Sequence, residues 1–206
     1  MKIVYHRRIT TEALQQVVSA RALEAILKAN VRQDALRYQV GHAHFHYDDN
    51  TFAEGDAYVE AQRARILPAL SERRPPSAWQ AFGRLSHTVQ DLYAHSNYVA
   101  LWLARMGEPR PDPGQIDPLD PAVLSDPALR SGKPHLFFDA LLHLNLLTPS
   151  LLERAPLDSH TRLNIDGPVR PNFDYAFSAA LKRTQVEFRR LIESLPSDLG
   201  RSFTDL

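Results

Sequence analysis

The sequence predicts an all-α fold, organised as one domain over residues 1–206. Apolar residues recur at three- and four-residue steps through two long segments. No stretch alternates convincingly between apolar and polar. Proline and glycine fall where helices would stop. Residues 12–29 carry Leu14, Val17, Val18, Ala22, Ala25, Ile26 and Ala29 on one helical stripe. Thr10 or Thr11 is placed to cap that helix, and Glu12 suits its first turn. A short helix follows from Asp34 to Val40. Gly41 to Gly55 reads as a polar loop, and a further helix spans Asp56 to Leu67 until Pro68 bends or ends it.

The longest periodic segment runs from Ser77 to Met106. Trp79, Phe82, Leu85, Val89, Leu92, Val99 and Leu103 fit a single helix, with Gly107 as its C-terminal cap. Residues 109–134 hold seven of the 15 prolines and read as a crossover loop ordered by packing. A helix returns from His135 to Leu147. A polar loop, LDSHTRLNIDGPVRP, leads to a last helix from Asn172 to Leu195.

Composition narrows the chemistry. The 44% hydrophobic and 23% charged fractions are ordinary for a globular chain. There is no cysteine, which excludes disulfides, thiolate metal sites and a Cys nucleophile. Lys+Arg and Asp+Glu both number 24, so no broad basic footprint for duplex nucleic acid is present. No apolar run is long enough for a signal peptide or a membrane span, which predicts a cytoplasmic chain. Histidine is the outlier with 9, and His, Asp and Glu are the strong metal ligands on offer.

The segment HTVQDLYAH places His87, Asp91 and His95 four residues apart. Each four-residue step turns a helix by about 400°, so the three side chains share one broad face. Asp91 lies between Val89, Leu92 and Tyr93, where burying a lone carboxylate is costly unless it is paired or metal-bound. A solvent-facing polar stripe is the competing reading. The outer histidines stand too far apart to share one ion easily, whereas the two oxygens of Asp91 can bridge two metals about 3.5–4 Å apart. His42, His44 and His46 crowd a second tract, GHAHFHYDDN, beside Asp48 and Asp49. It reads either as a solvated loop or, with Phe45 and Tyr47 packed, as a source of ligands. His135, Asp139 and His143 repeat the spacing of the central helix, though on a helix apolar enough to hold core histidines. His6 and His160 are ordinary surface histidines when taken alone.

The run GRLSHTVQDLYAHSNYV resembles the central helix of Het-C-type domains, which read close to G-x-x-L-H-T-x-Q-D-F-x-A-H-S-N-[WY]. Those domains are similar to the zinc-dependent phospholipase C and fungal single-strand nuclease superfamily, whose all-α members bind three zinc ions. Asp34 precedes His46 by the superfamily's twelve residues, and HYDD resembles its H-F-x-D segment. His6 sits where an early histidine ligand is found, and DSHTRLNIDGP resembles a His followed by L-N-x-D.

The resemblance implies a helical bundle of the zinc-dependent phospholipase C and nuclease type, holding two or three zinc ions. His46, His87, Asp34 and Asp91 would hold one ion, with Asp91 bridging toward a second near His6. His95 would anchor another with His160 or with His135 and Asp139. Asp34 would also orient or deprotonate the attacking water. Asp49, Asn97 and Tyr98 are candidates to line the substrate pocket, with ordinary loop and helix structure as their alternative reading. The implied activity is metal-dependent hydrolysis of a phosphodiester, in a phospholipid or a nucleotide. The alternative is a non-catalytic Het-C-like module with structural zinc and a protein partner. A di-iron protein is disfavoured because Glu-x-x-His pairs are absent.

Overall fold

The structure is a computed structural model that describes residues 1–39, 41–133, 135, 146, 148–156 and 158–206. These residues form helices without a strand; isolated bridges link Ser96 to Ser131 and Lys133 to Ser159. The all-α class read from periodicity is therefore the class observed. Among the described residues no helix is long and apolar enough to cross a membrane.

The helices are α1 (Ile3–Leu14), α2 (Ala20–Val31), α3 (Leu36–Gln39), α4 (Phe52–Ala64), α5 (Ile66–Ser71), α6 (Pro75–His95), α7 (Tyr98–Met106), α8 (Pro121–Leu124), α9 (Pro149–Arg154), α10 (His160–Leu163), α11 (Phe173–Ser194) and α12 (Ser197–Thr204). α6 is the axis, with α2, α4, α5 and α11 packed against it. Every residue from Leu85 to His95 is buried. A helix enclosed on all sides must be apolar all round or must have its polar groups met by neighbours. Trp79, Phe82, Leu85 and Val89 join α2, α5, α11 and α12 in one apolar cluster. Leu92, Tyr93 and Ala94 join α1, α7 and α11 in a second.

Several boundaries differ from the sequence expectation. The stripe over 12–29 is two helices. α1 ends at Leu14, and Ser19 caps α2 by accepting from the Ala22 N–H. Thr10 is not a cap; it lies inside α1 with no exposure. The segment 34–40 is a 3-10 turn at Arg32–Asp34 followed by the four-residue α3. Pro68 falls in the first turn of α5, where its missing N–H has no partner to lose. The helix expected over 77–106 breaks at Ser96, which is extended (φ −118°, ψ 170°). There the loop at 128–132 takes over the hydrogen bonding. Gly132 N–H donates to His95 O, Asn97 N–H donates to Arg130 O, and the Asn97 side chain grips Ala128 O and Arg130 N–H. Gly107 ends α7 at φ 74°, as its position suggested. The proline-rich loop is held by packing, with Ile116 and Val123 fully buried and Tyr93 and Tyr98 donating to Pro118 O and Asp117 O. α11 matches the expected last helix, and α12 follows it. Most of the segment assigned to a helix over 135–147 lies outside the described residues.

Close approach at one glycine sets the α2–α6 crossing. A Cβ on Gly83 would lie 2.4 Å from Ile26 O and 2.7 Å from Ala29 Cβ. Backbone cannot yield as a flexible side chain can. Gly83→Ala is expected to cost about 1–3 kcal/mol, the range for overpacking a core, read as a lower Tm. An unchanged Tm would mean that the helices slide apart at no cost.

A buried ion cluster ties α4 to α11. Glu187 accepts from Arg63 and from Arg183 Nε at 2.7 Å, with Arg190 at 3.5 Å. Burial opposes its charge, but Arg183 and Arg63 outweigh it and hold the carboxyl below its ordinary value. A depressed folded pKa stabilises above the unfolded value of about 4.3 and is lost as pH falls through the folded value. Glu187→Gln should therefore cost about 1–3 kcal/mol at neutral pH, because the partly buried Arg183 and Arg63 lose their partner. The gap from wild type should close as chemical denaturation is repeated at increasingly acid pH. A gap independent of pH would show that the charge contributes nothing.

Candidate metal centre

The centre forms around Asp91, one turn before the C-terminal end of α6. Asp91, His6 and His87 have no exposure. Asp91 Oδ2 lies 2.9 Å from both His46 Nδ1 and His87 Nε2. Asp91 Oδ1 lies 3.1 Å from His6 Nε2, 3.7 Å from His95 Nε2 and 2.7 Å from the Met1 amino group. Its two oxygens thus face two different sets of nitrogens. Asp34 Oδ1 stands 3.7 Å from His87 Nε2.

Local backbone accounts for each placement. The i, i+4, i+8 spacing carries His87, Asp91 and His95 along α6. α1 brings His6, whose ring stacks on His87 at 4.1 Å between centroids. The 3-10 turn after α2 brings Asp34. His46 and Asp48 come from a tight loop with Tyr47, Asp49 and Asn50 all at positive φ. Asp49 N–H donates to Gly132 O, and Asn50 pairs with Ser131 through both backbone and side chain. Those clips fix the loop against the end of α6. Gly132 also passes so close to α10 that a Cβ there would lie 2.4 Å from His160 Cα. This puts the His160 ring 4.7 Å from that of His95. Ile165 N–H donates to Ala94 O, and the next residue, Asp166, reaches Met1 N at 3.1 Å and His95 Nε2 at 3.4 Å.

Among the described residues, three groups of ligand atoms lie within 4.8 Å of one another: His6, Asp34 and His87; His46, His87 and Asp91; and Asp48, His95 and His160. In the second, the edges are 2.9, 2.9 and 3.2 Å. Ligands about 2.0–2.1 Å from a tetrahedral zinc are spaced about 3.3 Å apart, so little movement is needed to close on an ion. Buried His6 Nε2, Asp34 Oδ2, Asp48 Oδ1 and Asp166 Oδ1 have no directed hydrogen bond among the described residues. Polar atoms that converge in burial and lack hydrogen bonds fit a cation.

Electrostatics agree with that fit at Asp91 and His87, whereas His95, against burial, is raised well above its ordinary value by Asp91, Asp48 and Asp166 and holds its proton until an ion displaces it. Burial opposes ionisation of Asp91, but the Met1 amine and His95, His87 and His6 hold its pKa well below the ordinary value. Asp166 is likewise held down against burial, mainly by the amine and His95. Burial and neighbouring His6 lower His87 to about 4, so it is a neutral imidazole suited to coordination. The amine, opposed by burial, is raised to about 11 by Asp91, Asp166 and Asp34. The carboxylates demand positive charge, and protonated groups supply it here.

The sequence-predicted ligands His6, Asp34, His46, His87, Asp91, His95 and His160 fall into these three groups. His135 belongs to none of them, and Asp139 lies outside the described residues. None of the residues expected to line a pocket belongs to these ligand groups. Asp49 is exposed, and its neighbour Asp48 faces His95 Nδ1 at 3.2 Å. Asn97 and Tyr98 are committed to loops: Asn97 to 128–130, and Tyr98 through its hydroxyl to Asp117 O and Asp120 N–H. Asp48 and Asp166 were not assigned as ligands from the sequence. The L-N-x-D pattern pointed toward Asp166, whereas nothing local distinguishes Asp48 from Asp49. A cleft of about 550 Å³ lies beside the centre, lined by Tyr47, Phe52, Leu92, Arg63, Arg183 and Arg190 among others.

Comparison with known proteins corrects the family expectation. No Het-C or phospholipase C/nuclease family matches the chain, so that assignment is withdrawn. No solved structure matches. Von Willebrand factor A domain-containing protein 7 of Rattus norvegicus is 31% identical over 97 residues, covering 47% of this chain. The aligned stretch is 10% of that relative, so the chain spans only a small part of its length. The family described as the VWA7 N-terminal domain matches residues 4–116, a stretch that holds His6, Asp34, His46, Asp48, His87, Asp91 and His95. With more than half of its length covered by that match, the chain belongs to the VWA7 N-terminal domain family.

Proposed function

We propose that this chain is a metal-dependent phosphoesterase, with zinc the metal that its nitrogen and carboxylate ligands suit best. The observation that carries the reading is the division of Asp91, whose oxygens face separate ligand sets at 2.9 and 3.1 Å. Zinc in such sets supplies Lewis acidity toward a phosphoryl oxygen and brings the pKa of bound water near neutral. The chain's own groups do the rest. Asp91 stays ionised and balances charge across the sets. Asp34 and Asp48, at 14% and 15% side-chain exposure, form the open edge where a phosphodiester would enter. Asp34 Oδ2, buried and without a hydrogen bond, is the atom best placed to accept a proton from attacking water.

A second reading is favoured by the complete burial of Asp91, His6 and His87. In it the metal is structural, joining α1, α6 and the 46–50 loop, with another protein as partner. Water-accessible coordination separates the two readings.

Asp91→Asn should abolish stoichiometric zinc binding, measured by elemental analysis. It should also destabilise by about 3–5 kcal/mol, since the buried amine loses its counter-charge. Asp49→Asn should keep both. Equal zinc content in Asp91→Asn would remove Asp91 from the site.

Asp34→Asn should lower hydrolysis of bis-nitrophenyl phosphate, a choline phospholipid or single-stranded nucleic acid by about 10²-fold or more, the scale of a lost general base. Its zinc content should fall less than that of Asp91→Asn. If zinc-loaded wild type hydrolyses none of the three, the structural reading takes over. If Asp34→Asn is as active as wild type, Asp34 is not the base.

A further inference from the structure

A buried polar network lies behind the metal-facing side of α6. His6, Thr10, Asn30, Ser86, Gln90 and Thr184 all have no exposure. Its hub is Gln90, one residue before Asp91 on the helix. Gln90 Oε1 lies 2.7 Å from His6 Nδ1, and Gln90 Nε2 donates to Thr10 Oγ1 at 3.1 Å and Thr184 Oγ1 at 3.0 Å.

The orientation of the Gln90 amide follows from its partners. The Thr184 hydroxyl donates to Ala180 O, so toward Gln90 it must accept, and the amide group facing it must be NH₂. The Ser86 hydroxyl donates to Gly83 O, so Asn30 meets it with its own NH₂. That same Asn30 NH₂ reaches Gln90 at 3.3 Å, where it needs an oxygen. Two independent chains of donors therefore turn Oε1 toward His6. An amide oxygen accepts only, so His6 Nδ1 must carry a proton.

The other ring nitrogen follows. With Nδ1–H fixed, a neutral imidazole presents a lone pair at Nε2. His6 Nε2 lies 3.1 Å from Asp91 Oδ1 yet makes no hydrogen bond there, because the ring is not aimed at that oxygen. A lone pair beside a carboxylate oxygen is repulsive unless a cation lies beside them; the Met1 amine, 2.7 Å from the same oxygen, is that cation here, and a bound metal ion would take over its role.

We propose that Gln90 is a positioning residue, which holds His6 as the Nδ1–H tautomer and so presents its Nε2 lone pair to a cation beside Asp91. Its consequence for binding rests on the metal-centre reading above; the tautomer itself does not. A hydrogen-bonding partner behind a ligating histidine is worth about 10–100-fold in metal affinity. The contacts of this one side chain join α1, α2, α6 and α11, so the network also sets the distance of His6 from Asp91.

The test uses long-range ¹H–¹⁵N NMR of the metal-free chain, together with zinc(II) affinity from chelator competition. Wild type should show His6 as Nδ1–H. Gln90→Met, similar in shape but without the acceptor, should show mixed tautomers and about 10–100-fold weaker zinc binding. Gln90→Glu loses the donors to Thr10 and Thr184 but keeps an acceptor, and should keep the tautomer and most of the affinity. A merely structural role would lower the Tm of both variants alike and leave their tautomers unchanged. An Nε2–H tautomer or an imidazolium in wild type would overturn the proposal, as would a Gln90→Met chain that binds zinc like wild type. Should neither variant fold, the wild-type tautomer alone decides. If wild type binds no zinc, the metal-centre reading falls, while the tautomer still decides the role of Gln90.

Discussion

A carboxylate withdrawn from water loses hydration worth several kcal/mol, and only charge or donors brought within contact replace it. Asp91 is fully withdrawn, near the end of a helix enclosed on every side. Its position obliges the rest of the chain to converge. α1 contributes His6, the 46–50 loop contributes His46, and α6 itself contributes His87 one turn earlier. A set of ligands gathered in this way is far more ordered than one scattered over a surface, because each side chain is held by packing before any ion arrives.

Convergence of that kind needs a rigid frame, and the frame is built where side chains are missing. Gly83 lets α2 lie directly on α6, and Gly132 lets the loop beyond residue 130 run against α10. Between them the backbone forms a relay. Gly132 bonds His95 O on one side and receives Asp49 N–H on the other, while Ser131 holds Asn50. His95, Asp48 and His160 meet because these three chain segments are tied to one another there. The polar network around Gln90 does the same for His6 at the opposite face. Substitutions in this relay would act on the centre without touching a ligand.

The centre resembles neither an ordinary salt-bridge cluster nor a solvated histidine loop. Salt bridges satisfy their members, whereas here Asp34 Oδ2 is buried without a hydrogen bond among the described residues. Solvated loops leave their histidines in water, and His46 is 4% exposed. By contrast His42, from the same tract, stacks on Phe45, His44 meets Phe45 and Tyr58 edge-on, and neither belongs to the ligand groups.

The sequence by itself determined the helical class and the shared face of His87, Asp91 and His95, since both follow from periodicity along one stretch of backbone. The histidine tract offered His46 as one of three candidates, while His6, Asp34 and His160 were singled out only through a likeness to a family that the comparisons do not support. Tertiary structure decided the rest. Periodicity ran on through Ser96 because an apolar stripe does not record that the 128–132 loop captures the backbone there. Asp48 and Asp49 are indistinguishable as neighbours in sequence; which of them faces His95 depends on a left-handed turn fixed by Gly132 and Ser131, more than 80 residues away. Asn97 and Tyr98, adjacent to the ligand helix, were drawn into loop packing for the same reason. Local sequence governs what an element is, while hydrogen bonds between distant segments govern which of its side chains reach the centre.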